Sequence, residues 1–160
     1  MDRQRWINLF AAIAAITVFG FALGLMFPIL SLVMEKNGVS PEVIGYNTAM
    51  QPFGMLLAGF IVPHVTRRYG TKPVAIAAAL LTAALIVTYP FIPIFWGWFA
   101  MRIVQGFAVA ILFSVSEAWV VEAAAGPARS RIMAVYTGVL SVSFGLGPAL
   151  ISVTGIDSFL

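Results

Sequence analysis

FWGWFAMRIVQGFAVAILFSVSEAWVVEAAAGPARSR, residues 95–131, is the stretch on which the fold turns. Nearly everything in 95–121 is apolar or small, yet Arg102, Gln105 and Glu117 are set into the run. An ion at the centre of a membrane helix costs about 2.5–3.5 kcal/mol on insertion scales. Residues that costly serve a cavity, a pathway or a partner. At about 100° per residue, Gln105 lies about 60° to one side of Arg102 and Glu117 about 60° to the other, so the three share one helix face. At a rise of about 1.5 Å per residue, Arg102 and Glu117 are about 22 Å apart and cannot pair. Each needs a partner on another element, or water.

Outward from this stretch, similar apolar runs recur. Of 160 residues, 61% are hydrophobic and 9% charged, against about 25% charged in soluble domains. Repeated runs of about 20 apolar residues mark an all-α membrane protein with several spans. The balance is basic, +3 at neutral pH. The bases form no patch, however, and fall in short loops between the runs, which argues topology and not a nucleic-acid partner. No cysteine is present and His64 is the single histidine, so neither a cysteine site nor a histidine pair for a metal can form. No cofactor is implied.

Five spans are predicted: 9–33, 42–65, 73–93, 95–121 and 132–153. The basic start with Trp6 followed by an apolar run has the outline of a signal peptide. The run is too long for one, and no small-residue cleavage site follows it. Gly20, Gly24 and Pro28 would let the first span bend or pack closely. In the second, Asn47 and Gln51 lie four apart on one face, with Pro52 and Gly54 next. The pair is either interhelical hydrogen-bond glue or the lining of a substrate path. The third span has few polar side chains and suits lipid. Pro90 and Pro93 close it, and Trp96 and Trp98 fit an interfacial belt. The fifth is rich in Gly and Ser, allowing close helix approach, and is broken by Pro148. A polar turn follows the first span, a tight basic loop (66–72) the second, and a loop at 123–130 the fourth. If the spans alternate, Arg3, Arg5, Arg67, Arg68, Lys72, Arg129 and Arg131 all fall on one side and Lys36 on the other. The positive-inside rule puts the N-terminus in the cytoplasm.

Enzymatic function has little support. Metal-assisted hydrolysis needs several ligands, and one His cannot supply them. His64 lies near a surface with no serine patterned to it. Transport of a small molecule through the bilayer accounts better for the stranded polar groups. Arg102 and Gln105 would sit about 10–15 Å in from one end of the fourth helix and Glu117 about 6 Å from the other. A carboxylate desolvated there could carry protons. The alternatives are Glu117 as a fixed partner of Arg67 or Arg68, and Arg102 as a base that snorkels outward.

At Arg102-Ile103-Val104-Gln105-Gly106 the sequence resembles the major facilitator superfamily, where R-x-x-Q-G marks the fourth helix and is associated with proton coupling. Arg67-Arg68-Tyr69-Gly70-Thr71-Lys72 stands where that family carries G-x-x-x-D-R-x-G-R-K. Arg68, Gly70 and Lys72 match; Pro63, Arg67 and Thr71 replace the leading Gly, the Asp and the first trailing Arg. Because the family's Asp helps latch the cytoplasmic gate, the resemblance implies that the latch here is built differently or is weaker. Gly147-Pro148 is similar to the helix-packing motif G-x-x-x-G-P-x-x-G-G of efflux members, with Ser143, Ile151 and Ser152 in place of other glycines. Glu122 and Arg129 stand in the E-x6-R relation of sugar-porter members. As a whole the chain looks most like the YcaD-type branch of bacterial transporters.

The resemblance implies an N-terminal portion of a twelve-span protein of two six-helix halves, in a bacterial inner membrane. It would work as a proton-coupled exporter, an antiporter, of a small molecule. Asn47, Gln51, Arg102 and Gln105 would line the cavity, and Glu117 would carry protons. Arg67, Arg68, Gly70, Lys72, Glu122 and Arg129 would form the cytoplasmic gate. Five spans are one short of a half, so the expected partners are protons, solute, lipid and the missing C-terminal portion. Uptake of a polar solute, or a non-transporting membrane partner, are the other functions open to such a chain.

Overall fold

Each apolar run folds as one long helix. The computed structural model describes residues 3–92, 95–124 and 129–155. Pro93, residues 125–128 of the 123–130 connection, residues 156–160 and the side chains of Arg3 and Arg5 lie outside that description. The helices are α1 (Arg3–Lys36), α2 (Pro41–Tyr69), α3 (Thr71–Thr88, followed by a 3-10 turn at Tyr89–Phe91), α4 (Phe95–Ala123) and α5 (Arg129–Thr154). All five are long and apolar enough to cross a membrane. This is an all-helical, multi-pass membrane protein.

Four helices outrun the apolar cores that announce them, whereas α3 stops at Thr88, short of the expected 93, and gives way to the 3-10 turn. α2 continues through Arg67 and Arg68 to Tyr69, so the basic loop between α2 and α3 shrinks to Gly70. At φ 87° Gly70 holds a backbone conformation that other residues rarely adopt, and so turns the chain in one residue. Pro41 opens α2 at a position where its missing N–H costs nothing. Pro148 does not break the fifth helix, which runs on to Thr154. Pro28, Pro52 and Pro63 likewise lie inside intact helices. In a membrane bundle, neighbouring groups and small backbone adjustments satisfy the carbonyls that proline frees.

α4 is the hub. It packs against α1, α2 and α3, while the tightest helix pairs are α2 with α4 and α1 with α5. Ile16, Ala58, Ala78, Val109 and Val120 from four helices meet in the main apolar core. Small residues bring the backbones together. A Cβ on Gly106 would strike the carbonyl of Gln51, and one on Gly54 would strike that of Ile103. At the other pair, Gly24 meets Phe144 and Gly147 meets Gly24, while Gly20 has Ser143 beside it. Gly138 and Gly145, on the same helix as Gly147, have open space instead. The outer faces are apolar, as lipid requires, with Phe60 72% and Leu80 67% exposed. On α3, Thr82 and Thr88 each donate to a carbonyl one turn back, so that helix shows lipid no unpaired hydroxyl.

Candidate functional site

The close approach at Gly54 and Gly106 sets the geometry of the polar site. With the α2 and α4 backbones in contact there, the short amides of Asn47 and Gln51 reach across to α4. Arg102 Nε donates to Asn47 Oδ1 at 3.2 Å, and Arg102 Nη1 donates to Gln51 Oε1 at 2.8 Å. Because a guanidinium has only donors, these bonds fix which way each amide points. The Phe27 ring of α1 lies under the guanidinium, 5.3 Å from centroid to Cζ, a cation–π contact that favours the charge in a desolvated place. Three residues along α4, Gln105 Oε1 accepts a hydrogen bond from Tyr89 Oη at 3.1 Å. Tyr89 is itself set by an edge contact with Trp98, whose indole donates to the Ile92 carbonyl at 2.9 Å.

Asn47, Gln51, Arg102 and Gln105 have no exposed surface at all. Arg102 therefore turns inward, away from lipid and from the helix end it could have reached by snorkelling. Four nitrogens of the cluster are nonetheless unpaired: Arg102 Nη2, Asn47 Nδ2, Gln51 Nε2 and Gln105 Nε2. All four are donors. The described acids, Glu35, Glu42, Glu117 and Glu122, are exposed, and none bonds to Arg102.

Glu117 parts company with the other two polar residues of α4. It is exposed, whereas Arg102 and Gln105 are sealed. The shared helix face expected from periodicity splits: α2 covers its upper turns, whereas the side chain of Glu117 stays exposed at the edge of the packed turn around it. Next to it, Ser116 Oγ and Tyr136 Oη of α5 lie 2.9 Å apart. No bond joins Glu117 to Arg67 or Arg68.

The proposed gate residues are placed as separate groups. Arg67 and Arg68 are exposed on the last turn of α2 and Lys72 on the first turn of α3. Arg68 lies over the ring of its neighbour Tyr69, 5.4 Å away. Glu122 lies in the last turn of α4 and Arg129 starts α5, both exposed. Among the described residues no ion pair joins these charges, which fits the small value of exposed pairs, about 0–1 kcal/mol. The fastening at this end is neutral: Trp119 Nε1 of α4 donates to Thr71 Oγ1 of α3 at 3.2 Å. Thr71 holds the position where the family motif has arginine.

Phe27, Tyr89, Trp119 and Tyr136 do not stand out from composition or periodicity. Tyr89 carried a usable signal, being a polar tip in a span with almost no others. The partners of the remaining three depend on which helices touch, and periodicity within one helix does not carry that.

The sequence profile of the Major Facilitator Superfamily matches residues 10–159. The chain belongs to the major facilitator superfamily. Its sequence is similar to that of an uncharacterized MFS-type transporter, YfkF of Bacillus subtilis (strain 168), 22% identical over 153 residues. That alignment covers 96% of this chain and 39% of the relative, so the chain spans about two fifths of the relative's length. No solved structure matches it. As in the superfamily's R-x-x-Q-G pattern, the Arg and Gln of α4 sit one turn apart. Here both are fully buried, and Arg102 is the only fully buried charge among the described residues.

Proposed function

We propose that this chain forms part of a secondary transporter that moves a small molecule across a bacterial cytoplasmic membrane, by proton-coupled export. Sealed Arg102, held by two amides of a neighbouring helix, is the observation that carries this reading. A buried guanidinium costs several kcal/mol to desolvate, and a merely structural bundle has cheaper ways to join α2 to α4. Asn47, Gln51, Arg102 and Gln105 bind the solute when the helices part around them. Pro28 beside Phe27 and Pro52 beside Gln51 weaken the backbone ladder where that movement is needed.

Glu117 is the proton carrier in this reading. It lies on the uncovered face of α4, which the rest of the transporter would close over, and closing over it would desolvate the carboxylate. Proline-containing α5, pressed on α1 at Gly147, is the packing element suited to an exporter. Arg67, Arg68, Gly70, Lys72, Glu122 and Arg129 form the cytoplasmic gate, with the Trp119–Thr71 bond as its neutral latch. Membership of the YcaD-type branch fits the basic residue at Arg67 and the spacing of Arg102 from Glu117.

The test is solute-driven proton movement in vesicles carrying the intact transporter, scanned over a panel of small molecules. Wild type is expected to release protons against at least one solute gradient, and Glu117→Gln to abolish the proton movement. Proton flux unchanged in Glu117→Gln would remove the carrier role.

A further inference from the structure

The polar cluster is unbalanced in one direction. Every unpaired atom in it is a donor, namely Arg102 Nη2, Asn47 Nδ2, Gln51 Nε2 and Gln105 Nε2. The amide oxygens of Asn47 and Gln51 are already turned onto the guanidinium, and that of Gln105 accepts from Tyr89. The unpaired nitrogens of Asn47 and Gln51 share a carbon with oxygens bonded to the guanidinium, so both amides lie beside Arg102, and Gln105 follows one turn along α4. The charge is unbalanced as well. Arg102 is fully buried, and its contacts are two neutral amides and an aromatic ring. The four described carboxylates are exposed and bond elsewhere or not at all. Water would satisfy N–H groups, yet it brings no charge, and a buried cation without a countercharge is costly. Acceptor oxygens or a halide with a full negative charge would meet both deficits at once.

We propose that Asn47, Gln51, Arg102 and Gln105 seat a monovalent anion, either a halide or the carboxylate end of the transported solute, with Phe27 closing the site from α1. If the anion is the solute's own carboxylate, the inference rests on the transport reading above and narrows the substrate to organic anions. A halide would be a resident counterion, independent of that reading. The site is closed in this structure, so the anion enters when α1 moves Phe27 aside. Small anions are favoured, because the glycine contacts at Gly54 and Gly106 hold α2 and α4 in backbone contact.

Thermal unfolding of the purified full-length protein tests this, with potassium isethionate replaced by potassium chloride or potassium acetate at constant ionic strength. Isethionate is the reference because it is bulky. A binding anion raises Tm by roughly 2 °C for each tenfold increase above its dissociation constant. A rise in chloride identifies a halide, and a rise in acetate identifies a carboxylate. No rise in either overturns the proposal. Asn47→Asp places a carboxylate beside Arg102 Nε, and Gln51→Glu places one beside Nη1. Either variant is expected to unfold at the same temperature in all three salts, since the protein then supplies its own countercharge. An anion response undiminished in whichever of the two folds would put the anion elsewhere and sink the proposal. The readout needs no transported solute, so its failure and the failure of the proton-flux test are separate results.

Discussion

Gly147 of α5 lies so close to Gly24 of α1 that a methyl group on Gly147 would overlap the Gly24 backbone. Nothing flexible stands between the two helices to yield. The contact is backbone on backbone, like that between Gly106 and Gln51 on the other tight pair. Without a hydrophobic force to drive association in lipid, such close packing holds the bundle together.

Gly147→Ala and Gly106→Ala should therefore each lower stability by about 1–3 kcal/mol, the cost of overpacking a site that cannot relax. Gly138→Ala is the control. A Cβ there meets nothing within 4 Å, and alanine is the better helix former by about 0.8–1.0 kcal/mol. Thermal unfolding in detergent should rank Gly138→Ala at or above wild type and both others well below it.

Tyr89→Phe should cost about 0.6 kcal/mol, the mean for interhelical hydrogen bonds in membranes, and at most about 1.7 kcal/mol. It leaves Gln105 with neither end of its amide paired, because Nε2 has no partner already. The cost should shrink when Gln105 is replaced by Leu in the same protein. Equal costs in both backgrounds would mean that the two side chains do not meet.

How far the sequence discloses this arrangement can be judged residue by residue. Arg102, Gln105, Asn47 and Gln51 stand out because polar groups in a membrane span are expensive, and their two helices are those that meet. Glu117 stands out for the same reason, yet its environment is the opposite one. A helical wheel gives the direction of a side chain and says nothing of how far along the helix a neighbour reaches. The helix count is plain from hydropathy, whereas the ends are not. Arg67 and Arg68 look like loop residues by charge, but interfacial bases continue a helix without penalty. Among the small residues of α5, Gly147 is packed and Gly138 open, a difference set by the crossing point with α1.

Thr71→Val and Trp119→Phe should each loosen the α2–α3 turn, since either removes the bond from α4 to the first residue of α3. Protease cleavage next to Gly70 should accelerate a few-fold in either variant, and no further in the double variant. Additive acceleration would show that the two residues act separately.

The chain contains no cysteine, which makes its orientation directly measurable. Asn37→Cys lies in the link between α1 and α2, and Tyr69→Cys at the exposed end of α2. A membrane-impermeant maleimide added to intact cells should label the first at once and the second only after permeabilisation. Labelling of both in intact cells would overturn the cytoplasmic placement of the basic end.

Arg102 is held inward by the amides of α2. A double-mutant cycle on unfolding free energy, with Arg102→Leu, Gln51→Leu and the pair together, measures that bond most directly. A coupling energy of about 1–3 kcal/mol is expected for a desolvated hydrogen bond to a charged group. Additive effects, with coupling near zero, would mean that Arg102 points elsewhere, and would contradict both the site and the function drawn from it.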